Sequence, residues 1–228
     1  MTLKVYLDLV SQPCRSLYMV LKASNTPFQM ESIELFKGQH LQEDYLKITP
    51  LHKIPAITEN GMNLIESVAI LRYLDATGRI NEKWYPKEPM KRAKVDEYLE
   101  WHHINMRAVF FTLFQRKIIF PKFFNKVTSP ESLAKFDEAA YNALDTFIEH
   151  WLGDKPFITG NNITAADLWA SCEIDSLPAV KINPFSDGRE KLADYIVRVK
   201  NGASPWYEES LEKLTKTFKA QKGEKSKM

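Results

Sequence analysis

The chain has 228 residues, of which 44% are hydrophobic and 26% charged, a composition typical of a globular protein long enough to bury a core. A net charge of +2 is too small to indicate nucleic acid or a membrane surface as the main partner. The first ten residues do not form a signal-peptide core, and no stretch approaches the ~20 apolar residues of a membrane-spanning helix. With only Cys14 and Cys172, a disulfide framework is not expected. We therefore expect a reduced, cytoplasmic protein.

The positions of the small and metal-binding residues exclude several kinds of chemistry. The eight glycines never show the spacing of a dinucleotide-binding loop, a phosphate-binding loop or a nucleophile elbow. Two isolated cysteines cannot form a cysteine-based zinc site, and the five histidines include no HExxH pair. We expect no metal site.

The N-terminal segment predicts a βαβ unit. Residues 3–9 alternate apolar and polar side chains, as in a strand. Ser11 is a capping-type residue, and Pro13 follows it in the first turn of a predicted helix that stops before Pro27. Residues 28–35 then form a second predicted strand, which returns parallel to the first.

The next segment predicts a hairpin followed by a helix. Asn60-Gly61 separates two short apolar runs, the strongest local signal for a hairpin. A helix then opens at Glu66-Ser67 and closes at Gly78. The order βαβ-ββα is that of a thioredoxin-like α+β domain, which we assign to residues 1–78.

The remaining chain is predicted to be all helical. Residues 79–88 lack periodicity, contain Pro86 and are followed by Pro89, and we assign them to a linker. Apolar positions between Val95 and Leu113 recur every three or four residues, as in one long amphipathic helix. Further helices are predicted from about Pro130 to Leu152 and from Thr164. The prediction is an all-α domain over 89–218 and a lysine-rich flexible tail over 219–228.

Several segments resemble one enzyme family. They are YLDLVSQPCR at 6–15, KGQHL at 37–41, ESVAIL at 66–71 and VDEYLEW at 95–101. These segments closely resemble the theta class of cytosolic glutathione transferases, and the similarity extends over nearly the whole chain. The resemblance implies the fold of that family, glutathione as co-substrate and a homodimer. It also implies transfer of glutathione to small electrophiles such as organic halides and epoxides, with glutathione-dependent peroxide reduction as a further activity.

Ser11 is the candidate catalytic residue. It lies where a strand gives way to a helix, and the unpaired N–H groups and dipole of a helix start favour an anion. A serine hydroxyl is a poor base, but it can donate a hydrogen bond to a thiolate and so lower the pKa of the thiol. The pattern alone favours a helix cap, and the resemblance implies stabilisation of the glutathione thiolate. One hydroxyl could serve both roles.

The resemblance also implies the rest of the glutathione site. The start of the helix at 66–67 would hold the γ-glutamyl end, and a cis bond before Pro55 would free the backbone of Ile54 for the cysteinyl backbone. A lysine and a histidine would meet the glycine carboxylate. Without the resemblance, the pattern favours a capping pair at 66–67 and solvated charges at Lys53 and His40 over a ligand site. The implied glutathione-binding residues are Gln12, His40, Lys53, Ile54, Glu66 and Ser67.

The second domain is expected to supply the electrophile site. The resemblance places Arg107 near the glutathione and product site, and Phe110 and Phe114 are either pocket wall or core. Residues 163–168, ITAADL, form a capping box whose role is structural. Many theta enzymes carry a further C-terminal segment over the active site, where this sequence has Phe218 and a lysine-rich stretch. We therefore expect a more open site.

Two alternatives use the same fold. One is a protein that binds glutathione or other ligands without turnover, which a damaged glutathione site would indicate. The other is a thiol-disulfide reductase similar to omega-class proteins, which needs a reactive cysteine where this chain has Ser11. Cys14, one turn into the helix, is in a position typical of a buried, inert thiol.

Overall fold

The computed structural model describes residues 2–224. The chain forms two compact units. The first consists of the segment up to residue 85 together with the segment that begins at 203, and the second of residues 86–202.

The first unit is built on a four-stranded mixed sheet in the order β2-β1-β3-β4. β1 pairs with β2 in parallel, and β3 pairs antiparallel with both β1 and β4. Asn60 and Gly61 have φ angles of 51° and 81°, as a tight hairpin turn requires. This connectivity confirms the predicted thioredoxin-like fold. The strands are β1 Lys4–Leu7, β2 Gln29–Ser32, β3 Ala56–Glu59 and β4 Met62–Ile65.

Helices pack on this sheet through apolar side chains. Val5 and Leu7 of β1 and Leu17 and Leu21 of the first helix are fully buried, and Leu71 of the third helix joins them. Burial of each such side chain contributes about 1.5–3 kcal/mol relative to leaving it exposed. The helices are α1 Gln12–Ala23, α2 Glu43–Leu46 and α3 Ser67–Ala76.

The second unit is helical, as predicted, but its first helix is interrupted. The predicted continuous helix changes to π-helical hydrogen bonding at His103–Arg107 and again at Gln115–Ile119. A third π segment, Phe147–Leu152, follows α7. Such segments are rare and often occur at functional sites. The α-helices are α4 Pro89–His102, α5 Ala108–Phe114, α6 Phe120–Phe124, α7 Pro130–Thr146, α8 Ala165–Ile174 and α9 Glu190–Ala203.

The capping box at the start of α8 is confirmed. The Thr164 N–H donates to Asp167 Oδ2 over 2.8 Å, and the Ile158 N–H and Tyr195 hydroxyl donate to Oδ1 over 2.9 and 3.0 Å. Burial raises the pKa of Asp167 to about 6 against the opposing effect of these hydrogen bonds. The box therefore joins three segments of the second unit as well as starting a helix.

The last helix, α10 Trp206–Glu224, packs with the first unit. The sequence prediction grouped residues up to 218 with the helical domain, whereas α10 contacts α1. The Tyr18 hydroxyl donates to Glu209 over 2.5 Å, and the Lys22 ammonium lies 4.5 Å from the centre of the Trp206 ring. The backbone is helical to Glu224, and the rest of the predicted tail, residues 225–228, lies outside the described residues.

Candidate active site

The sheet register brings three segments together at one edge. Tyr6 of β1, Ala56 of β3 and Ile65 of β4 form a row across the sheet. Beyond that row, β1 leads towards Ser11, β3 is preceded by Ile54-Pro55, and β4 leads to Glu66-Ser67. Residues predicted from separate patterns therefore lie at the same edge of the sheet.

Ser11 is the N-cap residue of α1 and is 8% exposed. Its backbone is extended (φ −79°, ψ 129°), yet within the described chain its side chain makes no capping hydrogen bond. Its N–H donates to Asp8 O over 2.9 Å, and its carbonyl accepts the Arg15 N–H over 3.1 Å. The Ser11 hydroxyl therefore does not cap α1, and the two backbone hydrogen bonds hold the residue in place.

Two buried charged residues hold the loop that leads to Ser11. The Asp8 carboxylate is 2% exposed and accepts the Val10 N–H over 3.1 Å. The Arg15 guanidinium is fully buried and donates to the carbonyls of Leu9 (3.2 Å) and Val10 (3.0 Å). Sequence reasoning assigned no role to Asp8 or Arg15. The available signal was two charges flanking an apolar and turn-forming segment, where a buried charge must find hydrogen-bond partners.

Gln12 and His40 differ in their surroundings. Gln12, the first residue of α1, is 7% exposed. His40 lies half-buried in the short 3₁₀ turn Gln39–Leu41. Burial lowers its pKa, the nearby His52 lowers it further, and Asp8 opposes both. Its Nδ1 is buried without a hydrogen-bond partner among the described residues. The surroundings of His40 therefore favour the uncharged form of its imidazole.

Lys53 and Ile54 lie in the loop before β3. Lys53 is exposed, and its carbonyl accepts the Tyr45 hydroxyl over 2.7 Å, which fixes the backbone while the ammonium faces solvent. The Ile54–Pro55 bond is cis, as the resemblance implied. Ile54 lies outside the strand ladder, whose register begins at Ala56. The backbone of Ile54 is therefore placed to pair with an extended ligand.

Glu66 and Ser67 begin α3 in an unusual conformation. Glu66 has φ 67° and ψ 112°, a region that non-glycine residues rarely adopt, and its side chain is exposed and makes no capping bond within the described chain. Ser67 is 5% exposed in the first turn. Strained backbone of this kind clusters at ligand sites. The start of α3 thus presents N–H groups to an anion and a free-standing carboxylate to a cation.

The residues predicted for the electrophile site lie in the second unit. Arg107, the last residue of a π segment, places Nη1 3.3 Å from Glu173 Oε1 and its guanidinium 4.8 Å from the centre of the Phe111 ring. Phe110 is 2% exposed and belongs to the core, whereas Phe114 is half-buried. Glu173, which sequence reasoning missed, is a buried charge on α8. No local pattern indicates its pairing with Arg107.

Within residues 2–224, no helix is both long enough and apolar enough to cross a membrane. Among the same residues, no three His, Cys, Asp or Glu side chains gather as a metal ion would require.

Comparisons with known proteins give a family for both parts of the chain. Residues 1–76 match the model of the glutathione S-transferase N-terminal domain, and residues 104–202 match that of the C-terminal domain. Glutathione S-transferase theta-1 from Mus musculus is 39% identical over 199 residues, which cover 87% of this chain and 82% of the relative. The theta-1 enzyme of Homo sapiens is 38% identical over the same shares.

Similar solved structures support the same family assignment. The apo form of human glutathione S-transferase T1-1 has a TM-score of 0.87 and 36% identity, covering 93% of this chain and 89% of the other. Human glutathione transferase theta-2, in complex with glutathione and an unknown ligand, has a TM-score of 0.89 and 32% identity over 96% and 91%. This chain belongs to the glutathione S-transferase family, and its resemblance to the theta class is confirmed.

Proposed function

We propose that this chain binds glutathione at the sheet edge described above and transfers its thiolate to small electrophiles. The observation that carries the proposal is the row Tyr6, Ala56 and Ile65, which brings the segments around Ser11, Ile54 and Glu66 to one edge. Ser11 supports it further, because its hydroxyl is not engaged in capping α1.

In this proposal each part of the edge recognises one part of glutathione. The carboxylate and ammonium of the γ-glutamyl end meet the start of α3 and Glu66, with Ser67 as a hydroxyl donor. The backbone of Ile54 pairs with the cysteinyl residue, and Gln12 adds a side-chain contact. Lys53 and the unused nitrogen of His40 bind the glycine carboxylate.

The Ser11 hydroxyl then donates to the sulfur. A hydrogen bond to the charged form lowers the thiol pKa, and each unit corresponds to about 1.36 kcal/mol. A shift of about two units from a free thiol near ~8.5 makes most of the bound glutathione a thiolate at neutral pH. The thiolate attacks an electrophilic carbon and a new C–S bond forms. A halide leaves with the bonding electrons, or one C–O bond of an epoxide breaks and its oxygen, still attached to the other carbon, takes a proton. In peroxide reduction the same thiolate attacks a peroxide oxygen, the O–O bond breaks and an alcohol leaves, and a second glutathione converts the sulfenic acid to glutathione disulfide and water.

Cys14 is a poor alternative nucleophile. It is fully buried inside α1, where a thiol does not meet substrate or solvent. The reductase alternative requires that thiol to react, so burial favours the transferase.

The test is the ultraviolet absorbance of bound thiolate as a function of pH. We expect a bound thiol pKa well below that of free glutathione in the native protein, and a return towards the free value in Ser11→Ala while binding persists. Cys14→Ala is the matched control in the same helix and should behave like the native protein. An unshifted pKa with tight binding would indicate a ligand-binding protein instead, and loss of activity in Cys14→Ala alone would support the reductase.

Three finer statements belong to the same proposal. Arg107 and the half-buried Phe114 contribute to the electrophile site, whereas Phe110 belongs to the core. The enzyme acts as a homodimer, which light scattering of the purified protein would test. It works in the cytoplasm, which imaging of a tagged chain would test.

A further inference from the structure

Asp8 lies in the chain between β1 and Ser11, the residue of the proposed thiolate site. Its Oδ1 accepts the Val10 N–H over 3.1 Å, and its Oδ2 accepts the Leu35 N–H over 2.9 Å. Its backbone carbonyl accepts the N–H of Ser11 over 2.9 Å. One buried residue therefore fixes the turn that ends in Ser11 and ties it to the chain that follows β2.

A lysine from the far end of the sequence contacts this carboxylate. Lys213 on α10 places Nζ 2.8 Å from Asp8 Oδ1, and its side chain is 37% exposed whereas that of Asp8 is 2% exposed. Trp206, Glu209 and Lys213 are spaced by three and four residues and so share one face of α10. The first two contact α1 through Lys22 and Tyr18. The packing of α10 on α1 thus brings the ammonium to Asp8.

We propose that Lys213 is a positioning residue for the Ser11 site: its ammonium neutralises the buried Asp8 carboxylate and keeps it in place under the turn that carries Ser11. The proposal rests on the proposed function, since it concerns the thiolate that Ser11 would hold. Under this proposal, α10 affects the thiolate site of the first unit as well as packing against α1.

The reason is electrostatic. A buried carboxylate without a cation destabilises any other negative charge nearby, and a glutathione thiolate at Ser11 would be such a charge. Other charged groups also surround Asp8. Glu34, which is hydrogen-bonded to Lys37, interacts with both Asp8 and Lys213, and His40 interacts with Asp8. On the side of α1, the Arg15 guanidinium is bonded to the same loop. Among the described residues, Lys213 makes the direct ion pair with the carboxylate.

The experiment compares Lys213→Met, Lys213→Arg and Lys216→Met in the full chain. Lys216 lies on the same helix, is paired with Glu212 and is 73% exposed, so its variant removes the same charge without touching Asp8. For each protein we would measure the thiol pKa of bound glutathione, the pH profile of kcat/KM with an aryl halide, and the thermal midpoint. We expect Lys213→Met to raise the thiol pKa by about half to one unit. Lys213→Arg should restore it, and Lys216→Met should match the native protein.

The outcomes separate this inference from the proposed function. If the native thiol pKa is low and Lys213→Met leaves it unchanged, the inference is wrong and the proposed function stands. A lower thermal midpoint without a pKa shift would make Lys213 merely structural, and an equal shift in Lys216→Met would reveal a general charge effect; both overturn the inference. If the native protein shows no lowered thiol pKa, the thiolate function itself fails.

Discussion

Both units contain a buried carboxylate beside a partly exposed cation, Asp8 in the first unit and Glu173 in the second, and the two differ in how the charge is stabilised. Asp8, in a turn after β1, accepts backbone N–H groups as well as the Lys213 ammonium. Glu173 lies inside α8, where backbone N–H groups are already bonded along the helix, so its charge needs side chains. Arg107 lies 3.3 Å from it, and His102 lies 3.8 Å away. A turn can stabilise a buried charge with its own backbone, whereas a helix interior depends on distant residues.

Arg107→Ala should therefore give the largest loss of stability. It leaves the buried Glu173 charge without its guanidinium, and removal of one partner from a buried pair costs about 3–5 kcal/mol. Urea unfolding would measure the difference.

Lys94→Ala is the matched control, since Lys94 makes an exposed pair with Glu97 on the preceding turns of the same helical run. That variant should lie within about 0.5 kcal/mol of the native protein. If Arg107→Ala and Lys94→Ala lost equal stability, the buried pair would contribute no more than the exposed pair. The double variant Arg107→Met, Glu173→Gln should recover part of the loss, because no buried charge then remains unpaired.

His102 should make the second unit sensitive to moderate acid. Burial, together with the nearby charges of Arg107 and His103, lowers the pKa of His102 from 6.5 to about 3. The unfolded chain takes up the proton below pH 6.5 while the folded chain stays neutral, so stability is fully present above pH 6.5 and is lost as pH falls towards 3. At pH 5 the loss is about 2 kcal/mol.

The variant His102→Phe keeps a ring beside Tyr98 and cannot be protonated. Its free energy of unfolding should vary less between pH 7 and pH 5 than that of the native protein. A control is His150→Phe, a residue exposed to solvent in the same unit. If the native and His102→Phe curves ran parallel over this range, the buried histidine would not be the source of acid sensitivity.

The sheet and its site edge could be predicted because their signals are local. Alternation marked β1, Asn60-Gly61 marked the hairpin, and the helix starts marked Ser11 and Glu66. Each signal spans only a few residues, and parallel or hairpin pairing then brings the ends together. The roles of Asp8 and Glu173 could not be predicted from the sequence, because their partners, Lys213 and Arg107, are distant in sequence.

The sequence also does not show which elements the helices pack against. An apolar stripe shows that a helix has a buried face, but it does not show which neighbour covers that face. For this reason α10 was grouped with the helical domain although it packs on α1. The π segments at 103–107 and 115–119 were missed as well, because periods near four residues fit both helix types over short stretches.

The smallest effect should come from Glu59, a third carboxylate that combines features of the other two. It lies at the end of β3, is 6% exposed, and its Oε2 accepts from Arg79 Nη1 over 2.7 Å and from the Tyr73 hydroxyl over 2.8 Å. The hydrogen bond from Arg79 lowers the pKa of Glu59 below 4.5, and that from Tyr73 adds to it. Stability from this carboxylate is therefore present above pH 4.5 and is lost as pH falls through the lowered pKa.

Glu59→Gln should reduce the free energy of unfolding by about 1 kcal/mol at pH 7, since Arg79 is partly exposed and solvent weakens the pair. The control is Glu31→Gln. The carboxylate of Glu31 on β2 lies 3.7 Å from the ammonium of Lys4 on β1 and is more exposed than that of Glu59. This variant should therefore leave the free energy of unfolding almost unchanged. As pH falls below 4.5 the native protein loses the contribution of Glu59, so the native and Glu59→Gln curves should converge. A constant gap between the two curves down to pH 3 would show that the difference comes from packing or the hydrogen bond alone. The charge of Glu59 would then contribute nothing, and its pair with Arg79 would resemble the exposed pairs of the surface.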